Sequence, residues 1–258
     1  MEYCVISVDR EGKITTLVEC MTQTEYDKIN ASIARLQKGM LCKDYIAIVC
    51  ENIRELKEYF PKLEPNNKKQ FQTLNRYTYN VLGAYYAWME FWESNFKAVF
   101  APIKKKYYDK YFEYRMMYNL RTFMTHCEMG VTRMQFDIIN NELSIYIEPD
   151  RLLAHPDRLQ KIFLPELETM AKNGKCIELD TLINGFEDIY IKMNRELLDA
   201  ITPELQDILN SLTPYISFKG GIADSSYIRE KETGKHALGL TSFLGLFVEK
   251  MAITGING

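Results

Sequence analysis

The alternation of apolar and polar positions divides the chain into short β-rich runs and long helical ones. Residues 3–9 and 13–20 are β-branched runs on either side of Arg10-Glu11-Gly12, which predicts a hairpin. Thr22-x-x-Glu25 is a capping-box pattern. Beyond it Tyr26, Ile29, Ile33 and Leu36 recur at helical spacing, and Gly39 is a natural stop. Asp44 can cap a second helix to about residue 59, with Ile46, Val49, Ile53, Leu56 and Phe60 on one stripe and Pro61 and Pro65 punctuating its end. A long helix follows over 67–100, where Leu74, Tyr77, Val81, Tyr85, Trp88 and Trp92 form a core face. Ala101-Pro102 should break it. Residues 104–129 then read as one further long helix, free of Pro and Gly and closed by Gly130. Two long helices with so short a connection pack as an antiparallel hairpin.

After Gly130 the period changes. Residues 131–139 and 143–148 are β-rich runs around Asn140-Asn141, which predicts a second hairpin. Residues 177–217 are helical again, with a break expected at Pro203 behind the N-cap Thr202. The tail from Lys219 is Gly-rich with weak periodicity, so irregular structure is expected, with one short helix near 240–251. The expected fold is mainly α: an antiparallel helical bundle with an N-terminal β-hairpin and an internal β-hairpin. Three regions follow from the pattern: an N-terminal hairpin plus two helices (1–62), a helical core with the internal hairpin (63–218), and an irregular Gly-rich tail (219–258).

Composition adds limits. A chain of 258 residues, 47% hydrophobic and 26% charged, can bury a sizeable core. No run is long and apolar enough for a membrane helix, and MEYCVISVDREG has no signal-peptide pattern. Cys4, Cys20, Cys42, Cys50, Cys127 and Cys176 lack metal-ligand or CxxC spacing and read as reduced core thiols. The expectation is a cytoplasmic protein without cofactor, metal or membrane partner. A net charge of −3 argues against a general nucleic-acid coat. Locally the balance reverses. Lys104, Lys105, Lys106, Lys110, Arg115, Arg121 and Arg133 outweigh Asp109, Glu113 and Glu128. A phosphate-bearing partner would feel that stretch, and Lys104, Lys105, Lys106 and Arg115 are the candidate RNA-binding residues.

The same stretch carries the candidate chemistry. With about 100° per residue, Arg115, Asn119, Thr122 and His126 fall within about 60° on one polar face of the expected helix. Arg121 lies well round from His126. Phe112, Met116, Leu120 and Phe123 face the other way, suited to a core. Tyr107, Tyr111, Tyr114 and Tyr118 recur at four- and three-residue steps, as a core or dimer face first and a base-stacking platform second. Cys127 beside His126 makes a poor ion pair, because adjacent helix residues diverge. His155 and His236 read as surface histidines, and Glu166 and Glu168 as solvated carboxylates.

Arg121-Thr122-Phe123-Met124-Thr125-His126 resembles the Arg-x(4–6)-His signature of the HEPN superfamily, small helical domains that are often metal-independent ribonucleases. The resemblance covers roughly residues 67–147. The run 74–82 is similar to the preceding helix of some bacterial members, where a polar side chain faces the Arg/His pair; Asn80 matches it best, and Glu90 second. The resemblance implies an endoribonuclease of the toxin–antitoxin or phage-defence sort, with Arg121 and His126 catalytic and Asn119, Thr122 and Asn80 supporting. Such chemistry uses a base on the ribose 2′-hydroxyl, a cation on the phosphorane-like transition state and an acid for the leaving oxygen. Histidine moves protons near neutral pH, and arginine holds phosphate bidentately. One histidine per chain implies a composite site in a homodimer. The implied partners are RNA, a second copy, and an antitoxin or regulatory protein. Many members carry Asn, Asp or His directly after the Arg, where this chain has Thr122. That departure favours the alternative, a non-catalytic dimeric interaction or nucleotide-sensing module.

Overall fold

The computed structural model describes residues 2–9, 11–65, 67–140, 142–215, 218–219, 222–223, 225–233 and 236–240. The chain forms two compact units, one of Met1–Lys43 with Ile201–Gly258 and one of Asp44–Ala200. Among the described residues no helix is long and apolar enough to cross a membrane.

In the first unit, β1 (Tyr3–Val8) and β2 (Ile14–Met21) form the expected hairpin, with Gly12 in the left-handed region (φ 81°) that its turn requires. The Thr22/Glu25 capping box closes in both directions. The Thr22 amide donates to Glu25 Oε2 (2.8 Å) and the Glu25 amide donates to Thr22 Oγ1 (3.3 Å). It starts α1 (Gln23–Tyr59), which runs on through the expected stop at Gly39 and through the expected cap at Asp44. The reason is packing. A Cβ on Gly39 would meet Leu205 Cδ1 at 2.6 Å, so this glycine admits a close neighbour instead of ending a helix.

Leu205 belongs to α7 (Leu179–Leu212), which continues through Pro203 where a break was expected. Arg35 and Glu204 pair at 2.6 Å in the same unit. The tail also departs from the irregular structure expected of it. The strands β8 (Ser225–Glu230) and β9 (His236–Gly239) extend the N-terminal hairpin into a sheet ordered β2-β1-β8-β9, with Val5 opposite Ile228. Two short strands, β6 (Phe218–Lys219) and β7 (Ile222–Ala223), pair beside them in sequence. Strand partners from opposite ends of the chain leave no local period to read. The short helix expected near 240–251 lies outside the described residues, apart from Leu240.

The second unit is built on three successive helices, α2 (Lys68–Asn95), α3 (Lys97–Lys110) and α4 (Phe112–His126). The expected stripe on α2 is the core. Leu74, Val81, Tyr85, Trp88 and Trp92 are fully buried, while Tyr77 packs at the margin against Tyr59 (5.0 Å between ring centroids). Trp88 stacks near Tyr85, Phe100 and Tyr190, and its indole N–H donates to Asn194 Oδ1 at 2.9 Å. The breaks fall elsewhere than expected. Pro102 lies inside α3, and the chain turns at Phe96 and at Tyr111 (φ −114°, ψ 125°). The expected single helix over 104–129 is therefore two. Arg115 explains how the second break is tolerated. Its guanidinium donates to the carbonyls of Tyr108 (2.8 Å) and Asp109 (3.2 Å), groups that the end of α3 leaves without helical partners.

The internal hairpin is present as β3 (Arg133–Asp137) and β4 (Glu142–Ile147). A two-residue strand β5 (Ile177–Glu178) adds to β4, so α7 starts at Leu179. Between them lie α5 (Pro149–Leu153), a 3₁₀ turn at Pro156–Arg158, and α6 (Leu164–Lys172).

Candidate functional site

The residues expected to form one polar face of α4 have different fates. Arg115 is largely buried, its side chain 16% exposed. Besides capping α3 it makes a two-pronged pair with Glu166 of α6, both hydrogen bonds at 3.1 Å. Glu166, read as a solvated carboxylate, is thus a structural partner. Asn119 is 1% exposed. Its amide N–H donates to the Arg115 carbonyl (2.7 Å) and its oxygen accepts from the Gln160 backbone N–H (2.7 Å). It fastens the loop before α6 onto α4, which removes it from any solvent-facing cleft. His155, in the same loop, is half-buried with its ring 5.8 Å from that of Phe123, so it is not a free surface histidine.

Thr122 is half-buried, and His126 is exposed as the last residue of α4. That end of a helix favours positive charge. Among the described residues no side chain hydrogen-bonds to His126. Arg121 lies on another side of the helix, as its position predicts. Its guanidinium stacks on the ring of Tyr86 from α2, 3.3 Å from the centroid. Tyr86 carried no sequence signal. Asn80 is exposed on α2, about 140° round from the buried Tyr85, and so points away from the stripe that packs the helix. Glu90 is exposed as well. Among the described residues no hydrogen bond or ring contact joins Arg121 to His126, and none joins Asn80 to either. A polar residue on α2, Asn75, instead joins α2 to the segment that follows α4. It accepts from the Val131 N–H (3.2 Å) and donates to the Val131 carbonyl (3.3 Å).

The cations of the stretch are committed as well. Lys104 pairs with Glu93 and lies 5.4 Å from the Tyr118 ring. Lys105 pairs with Asp109 (2.7 Å) and Lys106 with Glu196 (2.7 Å). A cavity of about 420 Å³ is lined by Lys104, Lys105, Tyr108 and Tyr118, but also by Glu93 and Asp109, so its charges balance. The tyrosine stripe divides: Tyr107 and Tyr114 are buried, and Tyr111 and Tyr118 half-buried. Burial, with Glu196 close by, pushes the Tyr107 phenol up to about 12, and Tyr114 is raised further by its burial. Both shifts oppose loss of the phenolic proton near neutral pH. The Cys127 thiol is raised, burial being the first cause, which opposes its use as a nucleophile. Comparison with family models, with curated proteins and with solved structures returned no match.

Proposed function

We propose that this chain acts as a non-catalytic interaction module of HEPN-like helical build, holding a partner instead of cutting RNA. One observation carries the reading. Each candidate RNA-binding cation, Lys104, Lys105, Lys106 and Arg115, already spends its charge on a carboxylate of its own chain. A phosphate would have to displace Glu93, Asp109, Glu196 or Glu166 before counterion release could reward it. Thr122 after Arg121 agrees with this reading, and so does the use of Arg121 in a stack on Tyr86.

The ribonuclease reading keeps one specific support, the exposed His126 at the end of α4. The test is incubation of the purified chain with single-stranded RNA, with and without EDTA, at low and physiological salt. Intact RNA and no salt-dependent retention are expected. Metal-independent cleavage would overturn the interaction reading if it fell about 10²–10⁴-fold in His126→Ala and about 10²–10³-fold in Arg121→Ala, both still folded.

A further inference from the structure

The internal hairpin ends in a feature that no packing among the described residues explains. Ile138 and Ile139, consecutive at its tip, are 84% and 93% exposed. They are held out by a fastened turn. Asp137 Oδ1 accepts from the N–H groups of Ile139 (2.8 Å) and Asn140 (3.3 Å), and Asp137 Oδ2 accepts from the Asn140 side chain (2.8 Å). The strand leading to them, β3, is an edge. The sheet order is β3-β4-β5, and among the described residues β3 pairs with β4 alone. Arg133, Gln135 and Phe136 are exposed along it. Open edges that natural proteins leave unpaired are usually blunted by charge, proline or a bulge. β3 has no proline, its ladder with β4 is unbroken from Arg133 to Asp137, and its two charges, Arg133 and Asp137, are opposite in sign and so suit a second antiparallel copy.

Its sequence is self-complementary in the antiparallel sense. Centring a two-fold axis on Gln135 sets Arg133 opposite Asp137 of a second copy, and Met134 opposite Phe136 of that copy. Both pairs are repeated by the symmetry. The charge pair answers a need within one copy. Asp137 stands opposite Glu142 across the β3–β4 ladder, and among the described residues no cation is paired with either. Like charges opposed on a sheet are unfavourable, and a cation on the outer side relieves them. Arg133 itself donates to the neutral Gln135 Oε1 (2.6 Å), an exposed bond that a carboxylate can replace. The Met134–Phe136 pair extends an apolar face that already includes Leu143 and, beside a cavity of about 240 Å³, Pro65 and Phe71. The same register carries Ile138 and Ile139 past the second copy's Arg133, beside its half-buried Thr132. An isologous contact of this kind closes as a dimer and leaves no free β3 edge.

We infer that the partner of this module is a second copy of the same chain, joined through β3 in antiparallel register about Gln135. This rests on the interaction reading and names its partner. The contact is a strand pair plus two isoleucines per copy, at the small end of specific interfaces, so association in the micromolar range is expected.

The test is sedimentation velocity of the full chain from about 1 to about 100 μM, a range that brackets that affinity. A concentration-dependent monomer–dimer equilibrium is expected. Arg133→Glu would set two acidic pairs in place of two opposite-charge pairs and weaken the dimer by about tenfold or more, since like charges directly opposed on a sheet repel where opposite charges attracted. Far-UV circular dichroism checks that this exposed substitution leaves the fold intact. Gln135→Cys reads the register directly. Directly opposed Cα atoms lie about 4.5–5.5 Å apart, within the roughly 4.4–6.8 Å that a disulfide spans, so mild oxidation should give a dimer that peptide mapping traces to a disulfide between the two copies of the introduced thiol. Arg133→Cys, displaced from its symmetry mate by four residues, should not link to itself. A wild-type monomer at the highest concentration overturns the inference. So does a dimer that ignores Arg133→Glu and gives no disulfide in the Gln135→Cys variant. Neither result alters the RNA assay, and RNA cleavage would not abolish the engineered disulfide, so the two readings fail separately.

Discussion

Replacing Arg115 with alanine is the sharpest test of whether this side chain serves RNA or the fold. The structure assigns it four hydrogen bonds inside the chain. The bond to the Tyr108 carbonyl, 2.8 Å and partly buried, carries the charge of the donor, and such bonds contribute about 1.5–3 kcal/mol. The bond to the Asp109 carbonyl is longer, 3.2 Å, and exposed, so about 0.5 kcal/mol is reasonable. The pair with Glu166, whose side chain is 36% exposed, is discounted for solvent to about 0.5–1 kcal/mol. The loss for Arg115→Ala is then about 2.5–4.5 kcal/mol, a large part of the roughly 5–15 kcal/mol typical of a folded domain. With a urea slope near the top of the usual range, about 3 kcal/mol/M, the midpoint should fall by about 1 M. Intrinsic fluorescence is the assay, because both tryptophans, Trp88 and Trp92, are fully buried in the unit that contains Arg115. Glu166→Gln should lose only the ion-pair part. Arg115→Lys should recover only part of the stability, since an ammonium cannot serve both carbonyls and the carboxylate with one planar fork. A cost for Arg115→Ala below about 0.5 kcal/mol, within the range of ordinary surface changes, would refute this account of the α3–α4 break.

Two further outcomes follow from the same geometry. Asn194→Leu should cost about 1–3 kcal/mol in chemical denaturation, because the buried Trp88 N–H loses its acceptor; adding Trp88→Phe should cost less in that background than in wild type. The turn at the hairpin tip should loosen in acid. The Asp137 carboxyl is held below its ordinary value by the N–H groups of Asn140 and Ile139, so its contribution is present above the unfolded value and is lost as pH falls through the folded one. Protection of the Ile139 and Asn140 amides, taken relative to their intrinsic exchange at each pH, should therefore fall at pH below the ordinary aspartate range, and Asp137→Asn should remove that dependence.

Much of the secondary structure was legible because it is a local matter. The capping box at Thr22 and Glu25, the stripe from Leu74 to Trp92, and both hairpins depend on residues a few positions apart. Local pattern and fold agree there. The glycine and proline signals were ambiguous for a physical reason. Gly39 signals a stop in sequence, yet its missing Cβ makes room for Leu205; Pro102 and Pro203 signal breaks, yet both lie inside helices. A residue that weakens a helix in isolation is retained where tertiary packing outweighs that cost.

The polar residues divide along the same line. Angular position on a helix sets Arg121 well round from His126, and Arg121 meets the ring of Tyr86. What those residues meet was beyond the sequence. Arg115 and Glu166 are 51 positions apart, and Asn75 and Val131 are 56 apart; no period links them. Charge along the chain marked 104–133 as a basic stretch, and that count is correct as composition. Only the folded arrangement decided that Glu93, Asp109, Glu196 and Glu166 stand beside its cations, because the field at a surface depends on neighbours in space and not on neighbours in sequence.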